Sequence, residues 1–270
     1  MRVLWLFSWL AAPCLAATTP PGLDAEGLQG WQQYRQASTH RAFAIAPGGA
    51  WAFQEGLPSA TAAQQMALSA CQQQSDNLCQ IFDLDGAQRM DALTWASSQS
   101  KRYGIPQETV IGTQPGQRFP NLMLASRATP DLAAFKGKIV VLHFWGSWCP
   151  PCAAEIPDFS RLERQLRKDP HIRMLAVPAF EPTNDARDWL RSRHIDLPVT
   201  APDSPDGKTL HIRTPDGKRT SIPARALTPV FPSTFVLDGN GIILMRQLGP
   251  IPDWSSLLPI LRHAAQHSSP

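Results

Sequence analysis

Five cysteines in 270 residues carry most of the chemistry this chain could do. Two of them, Cys149 and Cys152, stand in Trp148-Cys149-Pro150-Pro151-Cys152, one helical turn apart. Three chemistries use such a pair: a structural disulfide, half of a metal site, and thiol–disulfide exchange. A structural zinc site needs four ligands. No second pair or nearby histidines of suitable spacing complete one, so neither a metal nor any other cofactor is expected. An apolar stretch, Ile139 to Trp145, precedes the pair, and a helical stretch, Pro150 to Leu166, follows it. A first cysteine at a helix start lies at the positive end of the helix dipole, which favours its thiolate. The thiolate is the species that attacks a disulfide sulfur. Pro150 suits a first helical turn, where its missing N–H costs little. Pro150 and Pro151 also remove two backbone donors that would otherwise steady that thiolate. The strand–helix setting therefore favours exchange over the other two readings.

The elements around the pair set its compartment. Arg2, the apolar run Val3 to Ala12 and the small residues Ala16 and Ala17 read as an export leader spanning residues 1–17 and removed after Ala17. The run is too short to cross a bilayer comfortably, and an uncleaved N-terminal anchor is the alternative. Cys14 leaves with the leader; Pro13 before it argues against lipidation. Four cysteines then remain, and an even count in an exported chain favours disulfides. Three connectivities are open. Cys71–Cys79 with Cys149–Cys152 is preferred, because each pair lies within one apparent domain. The net charge of +3 comes with no long basic run, which argues against nucleic-acid binding. No later apolar stretch is long enough to span a membrane.

Residues 31–100 read as a small α+β module. Arg41 to Ala46 alternates like a strand, Pro47-Gly48-Gly49 turns, and Trp51 to Phe53 returns. Ser59 is placed to cap a helix carrying Ala62, Ala63, Met66, Ala67 and Ala70 at helical spacing. A Cys71–Cys79 bridge would staple that helix to a strand at Ile81 to Leu84, useful in a unit with little core. Residues 101–120, dense in glycine and proline, read as a linker and entry loop. Residues 121–266 then alternate strand and helix: Ile172 to Val177, a polar-faced helix at Asp185 to Arg193, and strands Thr234 to Leu237 and Ile242 to Met245 joined at Asp238-Gly239-Asn240-Gly241. A final helix, Asp253 to Gln266, is expected to bend at Pro259. This is an α/β arrangement, a mixed sheet flanked by helices. Pro205-Asp206-Gly207-Lys208 recurs as Pro215-Asp216-Gly217-Lys218, which reads as an inserted hairpin or, alternatively, a flap facing a substrate or partner.

The segment Phe144-Trp145-Gly146-Ser147-Trp148-Cys149-Pro150-Pro151-Cys152-Ala153-Ala154-Glu155-Ile156-Pro157 resembles the active-site segment of thioredoxin-fold proteins. More narrowly, it resembles the TlpA/ResA-type thiol–disulfide oxidoreductases of the bacterial envelope, over roughly residues 110–266. The resemblance implies that Cys149 is the attacking cysteine and Cys152 the resolving one. It implies that Glu155 handles the resolving thiol's proton or takes part in substrate recognition, although a glutamate at a helix start is also favourable for the dipole alone. Pro157 matches a structural proline of that helix. Pro232, in Thr228-Pro229-Val230-Phe231-Pro232-Ser233-Thr234-Phe235, matches the family's cis-proline beside the active disulfide, with Pro229 as the rival and an edge-strand proline as the plain alternative. Phe231 and Trp148 would line the substrate groove. Classical thioredoxins carry a buried Asp where this chain has His143, which leaves a proton relay and a hydrogen-bonded core histidine both open.

The activity so implied is that of an exported, periplasmic reductase of specific protein disulfides. Its partners would be protein thiol or disulfide substrates and a membrane-embedded electron donor, in a setting such as cytochrome c maturation or metalloprotein assembly. A disulfide oxidase or isomerase, and a redox-inactive binding protein of the envelope, are the alternatives. The module at 31–100 loosely resembles two-cysteine accessory modules of exported bacterial proteins, which implies a binding or positioning role toward an envelope partner.

Overall fold

The computed structural model describes residues 19–90 and 107–267. The expected leader at 1–17, Cys14 included, and residues 91–106 lie outside them. The N-terminal unit opens with α1 (Ala25–Gln36), capped by Asp24, whose carboxylate accepts the Gly27 N–H at 2.7 Å. Strands β1 (Ala42–Ile45) and β2 (Trp51–Gln54) form a hairpin, helix α2 (Ala60–Gln72) starts at the Ser59 cap, and β3 (Gln80–Leu84) and β4 (Ala87–Gln88) complete an antiparallel sheet in the order β2-β1-β3-β4. Strand alternation sorts the two faces. Ala42, Ala44 and Ala46 present small side chains to Ala63, Ala67 and the Cys71–Cys79 disulfide, so α2 lies close. Phe43 and Ile45 face the other way, against Trp31 and Tyr34 of α1.

The second half begins with β5 (Gln107–Ile111), β6 (Gln117–Arg118) and β7 (Asn121–Leu122). Backbone bonds from Gly116 to Ile243 (2.8 Å) and Phe119 to Gly241 (2.9 Å) fasten this stretch to a later strand. A 3-10 turn, Leu132–Phe135, leads into β8 (Ile139–Trp145), followed by α3 (Pro150–Leu166), β9 (Ile172–Pro178) and α4 (Thr183–Ser192). Then come β10 (Thr209–Arg213), β11 (Arg219–Pro223), the single turn α5 (Ala224–Leu227), β12 (Ser233–Leu237) and β13 (Ile243–Leu248). A 3-10 turn at Trp254–Leu257 precedes α6 (Leu258–His267). The main sheet runs β13-β12-β8-β9, parallel between β8 and β9 and antiparallel elsewhere.

Every residue of β8 is buried, as a central strand covered on both faces requires. Ile139, Val141 and Trp145 face α3, α4 and α6; Val140, Leu142 and Phe144 face the opposite layer. That opposite layer is largely a second sheet, β11-β10-β7, with α5 at its end. The inserted hairpin thus forms and is anchored through β10, while β11 stays largely exposed. Leu210 of β10 is fully buried, an anchor worth about 2 kcal/mol. Its two repeated turns differ in role. Gly207 has a positive φ, and a side chain there would meet the backbone of Ala179 and Phe180 at 2.9 Å, whereas Gly217 has open space around it. The last helix also departs from expectation. No bent helix forms over Asp253 to Gln266, because Asp253 caps a separate 3-10 turn and Pro259 falls in the first turn of α6, where proline is tolerated.

Candidate active site

At the C-terminal end of β8 the chain turns through Gly146, Ser147 and Trp148 into α3. Gly146 is required by this turn: a Cβ there would lie 2.2 Å from the Trp148 indole nitrogen. That nitrogen donates to the Ala179 carbonyl at 2.9 Å, which holds the ring in place while nearly half of it stays exposed. Glu181, also buried, fixes the turn from the other side. Its carboxylate accepts the Ser147 N–H at 2.8 Å and, with the other oxygen, the Ser147 hydroxyl.

Cys149 is the N-cap of α3 and is joined to Cys152 as a disulfide. Pro150 and Pro151 have no N–H, so the first donor that reaches the Cys149 sulfur is the Cys152 N–H, at 3.3 Å. One amide and the helix dipole therefore face the sulfur where a thiolate would form. Cys149 is 3% exposed and Cys152 0%. Of the two sulfur-bearing residues, only Cys149 keeps any contact with solvent.

The rim beside Cys149 is aromatic. Antiparallel pairing of β12 with β8 sets Ser233 opposite Phe144 and Thr234 opposite His143, which delivers the preceding Phe231-Pro232 to the cysteine-bearing end of the sheet. The Phe231–Pro232 peptide bond is cis. The Phe231 ring packs edge-on against Trp148 at 5.3 Å and against Phe180 at 5.7 Å. Arg225, carried by α5, lays its guanidinium over Phe180 at 4.8 Å and Phe231 at 5.1 Å.

Behind the disulfide, Glu155 turns inward. Its Oε2 accepts the Ile251 N–H at 2.7 Å and the Trp254 indole N–H at 3.2 Å. Its Oε1 lies 3.4 Å from Nε2 of His143, whose Nδ1 is 3.0 Å from the Thr234 hydroxyl. Burial pushes the Glu155 carboxyl up to about 7, against the opposing pull of the Ile251 and Trp254 donors. Burial likewise holds His143 down to about 3. Because both surroundings oppose charge, the pair is not an imidazolium–carboxylate ion pair.

The structure thus gathers Cys149, Cys152, Trp148, Phe231 and Pro232 at one end of the sheet and sets Glu155 with His143 beneath them. Cys71 and Cys79 join α2 to β3 in a separate cluster. Among the described residues no group of three or more His, Cys, Asp or Glu side chains is arranged to hold a metal. Glu181, Phe180, Thr234 and Arg225 were not anticipated from sequence. Phe180 and Glu181 follow β9, the parallel neighbour of β8, and residues just past such a strand fall next to the Cys149 turn. Arg225 carries no comparable sequence signal.

A profile of the Redoxin family matches residues 114–259, more than half of the chain. The chain belongs to the Redoxin family. This Redoxin chain is 31% identical over 158 residues to the thiol:disulfide interchange protein DsbE homolog of Paracoccus denitrificans, covering 58% of this chain and 76% of the relative. It is 25% identical over 138 residues to the thiol-disulfide oxidoreductase ResA of Bacillus cereus, covering 50% and 70%. Among solved structures, a putative thiol:disulfide interchange protein DsbE from Chlorobium tepidum is 22% identical with a TM-score of 0.41, covering 57% of this chain and 99% of that one. Family and curated relatives agree with the mixed α/β fold. The Redoxin chain is a thiol–disulfide oxidoreductase of the thioredoxin-like kind.

Proposed function

We propose that this protein is an exported reductase of specific protein disulfides, working through Cys149-Pro150-Pro151-Cys152. The reading rests on one observation above all. The Cys149 sulfur caps α3 and receives the Cys152 N–H, beside the rim formed by Trp148, Phe231 and the cis-Pro232 peptide. In the proposed cycle the Cys149 thiolate attacks one sulfur of a substrate disulfide. A mixed disulfide forms, and the first substrate thiolate leaves and is protonated by water. Cys152 gives its proton to Glu155, one helical turn away, and its thiolate attacks the Cys149 sulfur. The second substrate thiolate leaves, and Cys149–Cys152 ends oxidised, two electrons having passed to the substrate. A membrane-embedded dithiol donor restores the reduced pair. Trp148, Phe231 and Pro232 hold an extended substrate segment next to Cys149.

The leader reading of residues 1–17 supports a periplasmic site of action, with cytochrome c maturation or metalloprotein assembly as its setting. Residues 31–100 take a binding or positioning role toward an envelope partner, with Cys71–Cys79 as their structural bridge. Insulin reduction by wild type and Cys149→Ser tests the exchange, and a glutathione-buffered titration fixes its direction. Wild type is expected to reduce insulin and Cys149→Ser to fail. Cys152→Ala is expected to stall as a mixed disulfide through Cys149 with proteins of an envelope extract. An intact dithiol that leaves insulin oxidised would overturn the reading. A reduction potential close to those of strong oxidants, around −120 mV, would replace reductase with oxidase.

A further inference from the structure

His143 Nε2 and Glu155 Oε1 are both buried without a hydrogen-bond partner, and they face each other at 3.4 Å. An orphan donor or acceptor in a dry interior costs about 1–3 kcal/mol, so the two atoms are best satisfied by a proton between them. The other ring nitrogen is also engaged, at 3.0 Å from the Thr234 hydroxyl. A hydroxyl can donate or accept, and so can neutral imidazole, one nitrogen at a time. The line Glu155–His143–Thr234 therefore has two states in which Glu155 Oε1 and both ring nitrogens are bonded. In one, Glu155 is a carboxylate, His143 carries its hydrogen on Nε2 and donates to it, and the Thr234 hydroxyl donates to Nδ1. In the other, Glu155 is a carboxylic acid donating to Nε2, and His143 carries its hydrogen on Nδ1 and donates to Thr234. The two differ by one proton, and neither leaves Glu155 Oε1 or a ring nitrogen orphaned or makes an imidazolium.

Resting on the thiol-exchange reading above, we propose that His143 is a positioning residue that lets Glu155 take up and return the Cys152 proton by switching tautomer against Thr234. The surroundings leave the task to this line. Phe159 stacks on the imidazole at 4.8 Å, and Trp254 meets it edge-on at 5.2 Å. Among the described residues, the other contacts on the Glu155 carboxyl are the Ile251 and Trp254 N–H groups, and the one further charge acting on it is Asp158, on the same helix. Cys152 lies one turn earlier in α3, fully buried, so water does not reach its sulfur directly. Glu155 titrates at about 7, where a group can both accept and return a proton. The proton leaves the Cys152 sulfur as it attacks Cys149 and becomes the carboxyl proton of Glu155; the imidazole then exchanges its Nε2 hydrogen for one on Nδ1 in a separate, faster proton exchange, so that one proton has moved from sulfur to carboxyl and charge is conserved.

The test is nitrogen NMR of histidine-labelled full-length protein, with the dithiol kept reduced, between pH 5 and 9. The expected result is a His143 that is neutral throughout, with its hydrogen on Nε2 at high pH and on Nδ1 at low pH, crossing near 7. An imidazolium signal, or one tautomer across the range, overturns the proposal. Thr234→Val removes the partner that accepts from Nδ1, so it should favour the Nε2 tautomer and move the crossing to lower pH. An unmoved crossing counts against the relay. In stopped-flow, His143→Asn is expected to slow resolution of a preformed mixed disulfide about tenfold at pH 7, while the attack by Cys149 stays within about twofold. Resolution at the wild-type rate with an unchanged pH profile would make His143 a core histidine only. The NMR titration needs no substrate, so it separates failure of the relay from failure of the exchange reading, which shows as a wild type that resolves no mixed disulfide.

Discussion

Glu155 is a carboxyl that folding makes harder to ionise, and this has a sign that can be measured. Its folded value, about 7, lies above its ordinary value of 4.5. A group raised on folding contributes stability that is fully present below its unfolded value and is lost as pH rises through its folded value. Between about pH 4.5 and 7 the wild type should therefore lose stability on this account, to the extent of about 3 kcal/mol at 1.4 kcal/mol per unit. Glu155→Gln keeps the shape and removes the titration. Urea unfolding of the oxidised protein at pH 5 and pH 8 should show the wild type's advantage over Glu155→Gln largest at pH 5 and reduced by that order at pH 8. Parallel stability curves would show that the carboxyl is not held neutral. Glu181 offers the opposite experiment, a carboxylate whose two oxygens are both engaged by Ser147. Glu181→Gln places an NH2 where one of those oxygens accepted. It is expected to lower kcat/KM for disulfide reduction several-fold, with a stability loss of about 1–2 kcal/mol. An unchanged kcat/KM would show that Ser147 holds the Cys149 turn without it.

Elements were legible where their cause is local. The Ser59 cap, the alanine spacing of α2, the alternation in β1 and the Asp238-Gly239-Asn240-Gly241 turn all act within a few residues, and each stands where the sequence placed it. The cysteine motif was readable for the same reason, since a strand end, a cap and a helix start carry it. Less was legible where the cause is tertiary. Helix α1 went unread because Trp31 and Tyr34 acquire their meaning from Phe43 and Phe82, on strands that follow. Glu181 is polar in sequence and buried in the fold, and its two bonds to Ser147 explain why. At this scale the Cys71–Cys79 bridge can be separated from the proposed redox pair. It closes a loop of eight residues' separation, and closing so short a loop is worth about 2–3 kcal/mol. The double variant Cys71→Ala/Cys79→Ala should lose about that much unfolding free energy and so unfold at a lower urea concentration, yet still reduce insulin at close to the wild-type rate under conditions where it is folded. Loss of activity in the folded double variant would place Cys71–Cys79 in the electron path and remove its purely structural assignment.

At the scale of the whole molecule, the N-terminal unit and the Redoxin half are joined in two ways. Trp31, Tyr34, Phe43 and Phe82 belong to the same contiguous core as Ile156, Ile251 and Trp254 around α3. The unit also covers the exposed edge of the main sheet. Asn77, almost fully buried, accepts the backbone N–H of Arg246 on β13 at 3.0 Å and donates to the Pro47 carbonyl at 3.0 Å, while Arg246 pairs with Asp76 at 3.2 Å. An unpaired edge strand is a template for other strands, and Asn77 occupies one of its free donors without adding a strand. A shared core and a capped edge should make unfolding a single event. Amide exchange of Phe43 in β1 and Leu142 in β8 is then expected to report the same global free energy, and fluorescence and far-UV transitions should coincide. Asn77→Ala leaves the Arg246 N–H and the Pro47 carbonyl buried without that partner, at a cost of about 3 kcal/mol. Because the core is shared, this cost should lower the protection of both amides together. If Phe43 loses protection while Leu142 keeps it, the two halves unfold separately, and the N-terminal unit is an appendage of the oxidoreductase instead of part of its core.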